Sequence, residues 1–202
     1  MHSLTYTRPD LTFFASVKKR EDLVEYIITL GRIANLMEIP VMVFGSAKSR
    51  QIGTKDRDEC LRILADAFRR IAEGLEPLGV ILLIEPLSKP ESDCINNSEE
   101  AVSLIKMVGH PNFSLHIDLR SSFAEKEDCF KVWSKYSKII KHCHVANPGL
   151  NPPGPDCPEH YKAAEAIRIS GYSGYISLET RKVGSPEILR DAIKFIKDVY
   201  LT

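Results

Sequence analysis

The chain has 202 residues, 44% hydrophobic and 27% charged, with 11 Gly, 12 Pro and no low-complexity run. This excludes disordered, collagen-like and coiled-coil classes and leaves a globular chain able to bury roughly 70% of its unfolded surface. Its 27 Lys and Arg cancel its 27 Asp and Glu, so no net field draws in nucleic acid or an anionic membrane.

The longest wholly apolar run, Val80-Ile81-Leu82-Leu83-Ile84, falls far short of the roughly 20 residues of a membrane span. The amino terminus has no basic region followed by an apolar stretch. A single domain over residues 1–202 and a cytoplasmic location are expected. Five cysteines without a Cys-x-x-Cys pair read as reduced packing residues.

In chain order, short apolar runs alternate with longer helical patterns. Strands are predicted at 11–15, 40–44, 80–85, 113–118, 139–145 and 174–179, from their short runs of β-forming residues. Helices are predicted at 22–37, 57–78, 99–108, 126–136, 159–169 and 186–199, each with apolar residues near i, i+3, i+4 and i+7. Ser98 before Glu99-Glu100 reads as an N-cap, Gly79 as a C-cap, and Ser185-Pro186 as the start of the last helix. Six βα units of about 34 residues predict an α/β fold with a parallel sheet. Length alone leaves both a doubly wound sheet and a (β/α) barrel open, a full barrel taking about 250 residues.

In parallel α/β folds the chemistry gathers at the carboxyl ends of the strands. Four consecutive predicted strands end in such residues: Glu85, Asp118, His144 and Glu179. Several carboxylates in one cleft cannot all stay ionised at ordinary pKa values, a conflict that a divalent cation relieves. An oxygen-rich set with one imidazole suits Mn²⁺, then Mg²⁺ or Co²⁺, better than a structural zinc. His142 and His144 share one side of a strand, and the one nearer the carboxyl end is the expected ligand. His116, deeper in its strand, reads as an interior histidine, and His2, His110 and His160 read as bystanders.

This strand-end set resembles the xylose-isomerase-like TIM barrels, the sugar phosphate isomerase/epimerase group that includes ketose 3-epimerases. The resemblance is carried by Ile84-Glu85-Pro86-Leu87 with Glu91 and Ile95-Asn96-Asn97, by His142-Cys143-His144, by Gly171-Tyr172-x-Gly174-Tyr175-Ile-Ser-Leu-Glu179, and by the loop Val43-Phe44-Gly45-Ser46-Ala47-Lys48-Ser49-Arg50. It implies that Glu85, Asp118, His144 and Glu179 are metal ligands and that Glu91 is a second catalytic carboxylate beside Glu179. One glutamate would remove a proton next to a ketose carbonyl to give an enediolate, and the other would return it. Lys48 and Arg50 are candidates to hold a substrate phosphate or carboxylate. The substrate implied is a small sugar or sugar phosphate.

Two positions depart from the ketose 3-epimerase pattern. Ser121 stands where that family carries a histidine three residues after the aspartate ligand, and Leu150 where it carries an arginine about six residues after the histidine ligand. Arg120 or Arg181, each beside an expected ligand, is the candidate replacement cation. Two alternatives remain: a barrel that has lost catalysis and serves as a binding module, and an endonuclease IV-like metal phosphodiesterase, for which strand-end histidines are too few. The six units align with the third to eighth of the barrel, which predicts an incomplete barrel lacking amino-terminal units. Residues 4–15 and the last helix, or a second copy in a homodimer, are expected to cover part of the gap, since open sheet edges are normally protected.

Overall fold

A computed structural model describes residues 1, 4–181 and 183–201; His2 lies outside the described residues. Contacts along the chain cluster into two compact units, Met1–His116 and Ile117–Thr202, with the division falling inside the third strand. No helix among the described residues is long and apolar enough to cross a membrane.

The first unit contains α1 (Val17–Leu36), β1 (Val41–Phe44), α2 (Arg57–Leu75), β2 (Ile81–Ile84), α3 (Ser98–Val108) and the start of β3 (Phe113–Asp118). β1 pairs with β2 and β2 with β3, both in parallel. Such neighbours need a crossover connection, which α2 and α3 supply. Its core is an aromatic cluster around the fully buried Phe68: the rings of Phe13, Phe44 and Phe113 lie 5.1, 5.2 and 4.8 Å from it. Ring pairs at these separations add to the apolar burial of the rings themselves.

The second unit contains the end of β3, α4 (Leu119–Ala124), α5 (Cys129–Tyr136), β4 (Ile140–Val145), α6 (Glu159–Ile169), β5 (Tyr175–Leu178) and α7 (Pro186–Tyr200). β4 pairs with β5 in parallel, α6 being the crossover. Here α6 packs on both α5 and α7.

The strand-and-helix alternation is as the spacing predicts, but five strands form among the described residues rather than six. Residues 11–15 have no strand pairing. Leu11 and Phe13 are instead fully buried, and the Phe13 N–H donates to the Ser49 carbonyl at 2.9 Å. The apolar residues of this segment cover β1 and α2 rather than extending the sheet. Met1 takes a strand's place at the β1 margin: its ammonium donates to the Val41 carbonyl and its carbonyl accepts from the Val43 N–H, each at 2.8 Å. These two bonds satisfy edge groups that would otherwise face solvent. Gly79 caps in the left-handed conformation at φ 65°, as expected, whereas Asn97 rather than Ser98 caps α3, accepting from the Glu100 N–H at 2.9 Å.

Candidate active site

In the first unit Glu85 directly follows β2, and its N–H continues the ladder by donating to the Phe44 carbonyl at 3.1 Å. The residue is only 3% exposed. A side chain of this charge is rarely buried unless it is paired. His116 Nε2 on β3 stands 3.8 Å from Glu85 Oε1, so this fully buried histidine is an interior residue, as expected, that faces the carboxylate. Room for that carboxylate comes from Gly45 just past β1: a Cβ there would fall inside the van der Waals envelope of Glu85 Oε2.

Arg50 differs from its expected place. As a loop cation it would face solvent and substrate; instead it has no exposure, and its Nη2 donates to the Glu85 main-chain carbonyl at 2.7 Å. Burial pushes its pKa down to about 10 against the opposing fields of Cys94, Glu85 and Asp93. Enclosed in this way, the guanidinium is turned to the Glu85 main chain rather than to solvent. Lys48 is exposed, on a cleft of about 420 Å³ that Leu4, Tyr6, Gly45 and Ser46 also line.

The loop after β2 is tied down by the residues of the sequence motif. Asn96 Nδ2 donates to the Leu87 and Ser92 carbonyls at 2.9 and 2.6 Å, and Ile95 adopts φ 59° while its carbonyl accepts from the Leu87 N–H. Asp93 accepts from the Ile52 and Gly53 N–H groups at 3.0 and 2.7 Å. On this braced loop Glu91 is exposed, its carboxylate accepting from Ser88 Oγ at 2.7 Å.

In the second unit Asp118 is the last residue of β3 and also the N-cap of α4, its Oδ1 accepting from the Arg120 N–H at 2.9 Å. The side chain is buried and ion-paired, with Arg120 Nη2 3.0 Å from Oδ2. Arg120 thus gives one arm of its guanidinium to Asp118, and its side chain is only 13% exposed. Burial pushes the Asp118 carboxyl up from its ordinary pKa; Arg120 opposes this, the negative charge of Glu179 adds to it, and His144 opposes it. His144 on β4 and Glu179 directly after β5 approach through Nδ1 and Oε2 at 3.4 Å. His142, two residues back on β4, shares a hydrogen bond of 2.8 Å with Ser177 Oγ on β5. Its ring lies 4.9 Å from that of His144. Arg181 is exposed.

Three strand-end residues with ligating side chains therefore share one field in the second unit, and Glu85 occupies the corresponding strand end in the first. His110 accepts from the Asn112 N–H at 3.1 Å. His160, read from its position as a bystander, is instead fully buried and bridges Asn147 to Tyr200. Its partners lie 13 and 40 residues away, so no local pattern signals the role. Gly45 is the other residue that local pattern leaves unassigned, since its importance depends on where Glu85 lies.

A family model described as "Xylose isomerase-like TIM barrel" matches residues 5–199. A probable ketose 3-epimerase of Synechocystis sp. is 22% identical over 156 residues, covering 69% of this chain and 54% of that protein. A D-psicose 3-epimerase of Ruminiclostridium cellulolyticum is 25% identical over 114 residues, covering 56% and 39%. The chain thus spans about half or less of the curated relatives' length. A solved L-ribulose 3-epimerase superposes with a TM-score of 0.85 at 17% identity, covering 96% of this chain and 72% of that one, a likeness of fold.

Proposed function

We propose, from the premise that this chain belongs to the xylose isomerase-like TIM barrel family, that it is a divalent-metal-dependent isomerase or epimerase of a small sugar or sugar phosphate. The fold is accordingly an incomplete (β/α) barrel, with five strands among the described residues where a full barrel has eight. One observation carries the proposal: at successive strand ends of the second unit, His144 Nδ1 lies 3.4 Å from Glu179 Oε2, and the buried Asp118 carboxylate lies within the field of both.

Neighbouring carboxylates of like charge beside an imidazole make a donor set fitted to a hard or borderline divalent cation. Glu85, Asp118, His144 and Glu179 would hold it, with Mn²⁺ first choice and Mg²⁺ or Co²⁺ next. When bound, such an ion supplies Lewis acidity toward a ketose carbonyl and its neighbouring hydroxyl.

Each residue has a part in this reading. Arg120 keeps Asp118 oriented and partly offsets the neighbouring negative charge. Arg50 anchors the main chain of Glu85, and Gly45 leaves the space its carboxylate occupies. Glu91 and Glu179 carry the proton, one removing it from the carbon next to the carbonyl and the other returning it. The exposed ammonium of Lys48 attracts a phosphate or carboxylate on the substrate.

Purified chain titrated with Mn²⁺, alongside Glu85→Gln and Glu179→Gln, tests the ligand set. Wild type is expected to bind and each variant to bind at least about tenfold more weakly. Deuterium uptake from heavy water into a panel of ketoses and ketose phosphates then tests proton abstraction. Exchange into one of them, lost in Glu91→Gln, is the expected result. Absence of Mn²⁺ binding, or of exchange into every sugar, would overturn the reading.

A further inference from the structure

We propose that His160 is a positioning residue for Glu179, acting through the turn after β4. The proposal rests on the reading of Glu179 as a metal-binding and proton-carrying carboxylate.

The tether begins in the interior of the second unit. His160 sits in the first turn of α6 without solvent exposure, with the rings of Phe123 and Phe195 edge-on at 5.2 and 5.7 Å. Its Nε2 lies 2.8 Å from Asn147 Oδ1 and its Nδ1 2.6 Å from the Tyr200 hydroxyl. Asn147 donates from Nδ2 to both oxygens of Asp156 at 3.2 and 3.3 Å, so the oxygen of its amide faces the imidazole as an acceptor. Nε2 therefore carries the proton, and Nδ1 of the neutral ring accepts from Tyr200. Burial supports the neutral form, pushing the His160 pKa down to about 4.

From Asn147 the constraint passes to a strained turn. The Asn147 N–H donates to the Asn151 carbonyl at 2.9 Å, and Asn151 Nδ2 donates to the Pro148 carbonyl at 2.8 Å. Between them the chain runs through Gly149 at φ 74° and Leu150 at φ 59°. A left-handed conformation at a branched, bulky residue is costly and persists only where the surroundings impose it. Its consequence is the direction of the Leu150 carbonyl, which accepts from the Arg181 N–H at 2.9 Å and from Thr180 Oγ1 at 3.0 Å.

Glu179 is thereby held on both sides. Its own N–H donates to the Val145 carbonyl at 3.2 Å, extending the β4–β5 ladder, while the next two residues hang on Leu150. β5 has no fully buried residue, so packing contributes little to fixing the residues beyond it. The turn does so instead, and His160 sets the turn. A carboxylate that must meet a metal and a substrate tolerates displacements well below 1 Å.

Amide hydrogen exchange on the metal-free full chain and Mn²⁺ titration test this with three variants. His160→Phe removes the imidazole donor and acceptor, His160→Gln keeps an N–H donor, and Asn147→Ala cuts the tether while leaving the α6 core packed. In His160→Phe the Arg181 amide should exchange at least about tenfold faster while the Glu179 amide stays near wild type, and Mn²⁺ binding should weaken at least about tenfold. His160→Gln should bring both back to within about threefold of wild type, a rescue that loss of general stability would not show. Unchanged Arg181 exchange in a folded His160→Phe, or in Asn147→Ala if His160→Phe does not fold, overturns the proposal. Glu179→Gln separates the two layers: if it leaves Mn²⁺ binding unaltered, the metal reading of Glu179 fails, whatever the exchange data say about the tether.

Discussion

Arg50, with no solvent exposure, gives one arm of its guanidinium to the main-chain carbonyl of Glu85, and its Nε and Nη1 have no hydrogen-bond partner among the described residues. Two unmet donors on a desolvated cation are a stability cost, which removing the cation relieves, while the Glu85 carbonyl left without its donor adds an opposing cost of similar size. Arg50→Met is therefore expected to leave the melting temperature of the metal-free chain unchanged to within about 2–4 °C, the equivalent of about 1 kcal/mol. Mn²⁺ affinity should fall about tenfold, because the main chain carrying Glu85 loses its donor. Thermal melts beside calorimetric titration decide; a fall of more than about 5 °C without metal would show that the arginine stabilises the fold outright.

Gly45 allows a cleaner separation of site from scaffold. Its backbone lies outside the left-handed region, so alanine is conformationally acceptable, yet the new Cβ would collide with Glu85 Oε2. The far end of a side chain can swing away, whereas a ligand cannot swing and still bind. Gly45→Ala should change the urea midpoint by less than the equivalent of about 1 kcal/mol, and should abolish Mn²⁺ binding or weaken it more than about tenfold. Retained affinity would mean that Glu85 is no ligand.

Phe13 lies on a segment without regular structure but is fully buried, 5.7 Å from Phe44 and 5.1 Å from Phe68 between ring centres. If this segment is core, Phe13→Ala should cost about 3–5 kcal/mol by equilibrium denaturation, as for a phenylalanine deep in a strand or helix. An effect within about 0.5 kcal/mol, normal for surface positions, would reduce the segment to a loosely held tail.

How much the residues reveal in advance depends on the range of the interactions involved. β3 at Phe113–Asp118 and α6 at Glu159–Ile169 appear where apolar spacing predicts them, because their signals are local. Acidic residues that close apolar runs announce strand ends for the same reason. Residues 11–15 look like a strand because burial and strand pairing leave the same apolar trace, and only the Phe13–Ser49 contact distinguishes them. α4 escapes prediction because Asp118 both ends a strand and caps a helix. Arg50 reads as a solvated loop cation because nothing nearby in sequence reveals the backbone of Glu85, 35 residues on. His160 is invisible in the same sense, as its partners come from another loop and from the last helix.

That buried histidine also predicts a pH dependence. The His160 pKa is pushed down to about 4 by burial, from the ordinary value of 6.5, against the smaller opposing fields of Glu159 and Asp156. Between those values the unfolded chain binds a proton that the folded chain does not, so stability rises with pH across this window and falls on acidification. Above pH 6.5 the imidazole is neutral in both states and the penalty vanishes; approaching pH 4 it reaches at most about 3 kcal/mol. Urea midpoints measured at half-unit steps from pH 7 to pH 4 should decline along this curve in wild type. In His160→Gln, which keeps an N–H donor but cannot be protonated, the decline should be shallower by that amount. Parallel curves for the two proteins would show that acid sensitivity comes from the carboxylates instead, and that His160 is protonated in the fold as readily as out of it.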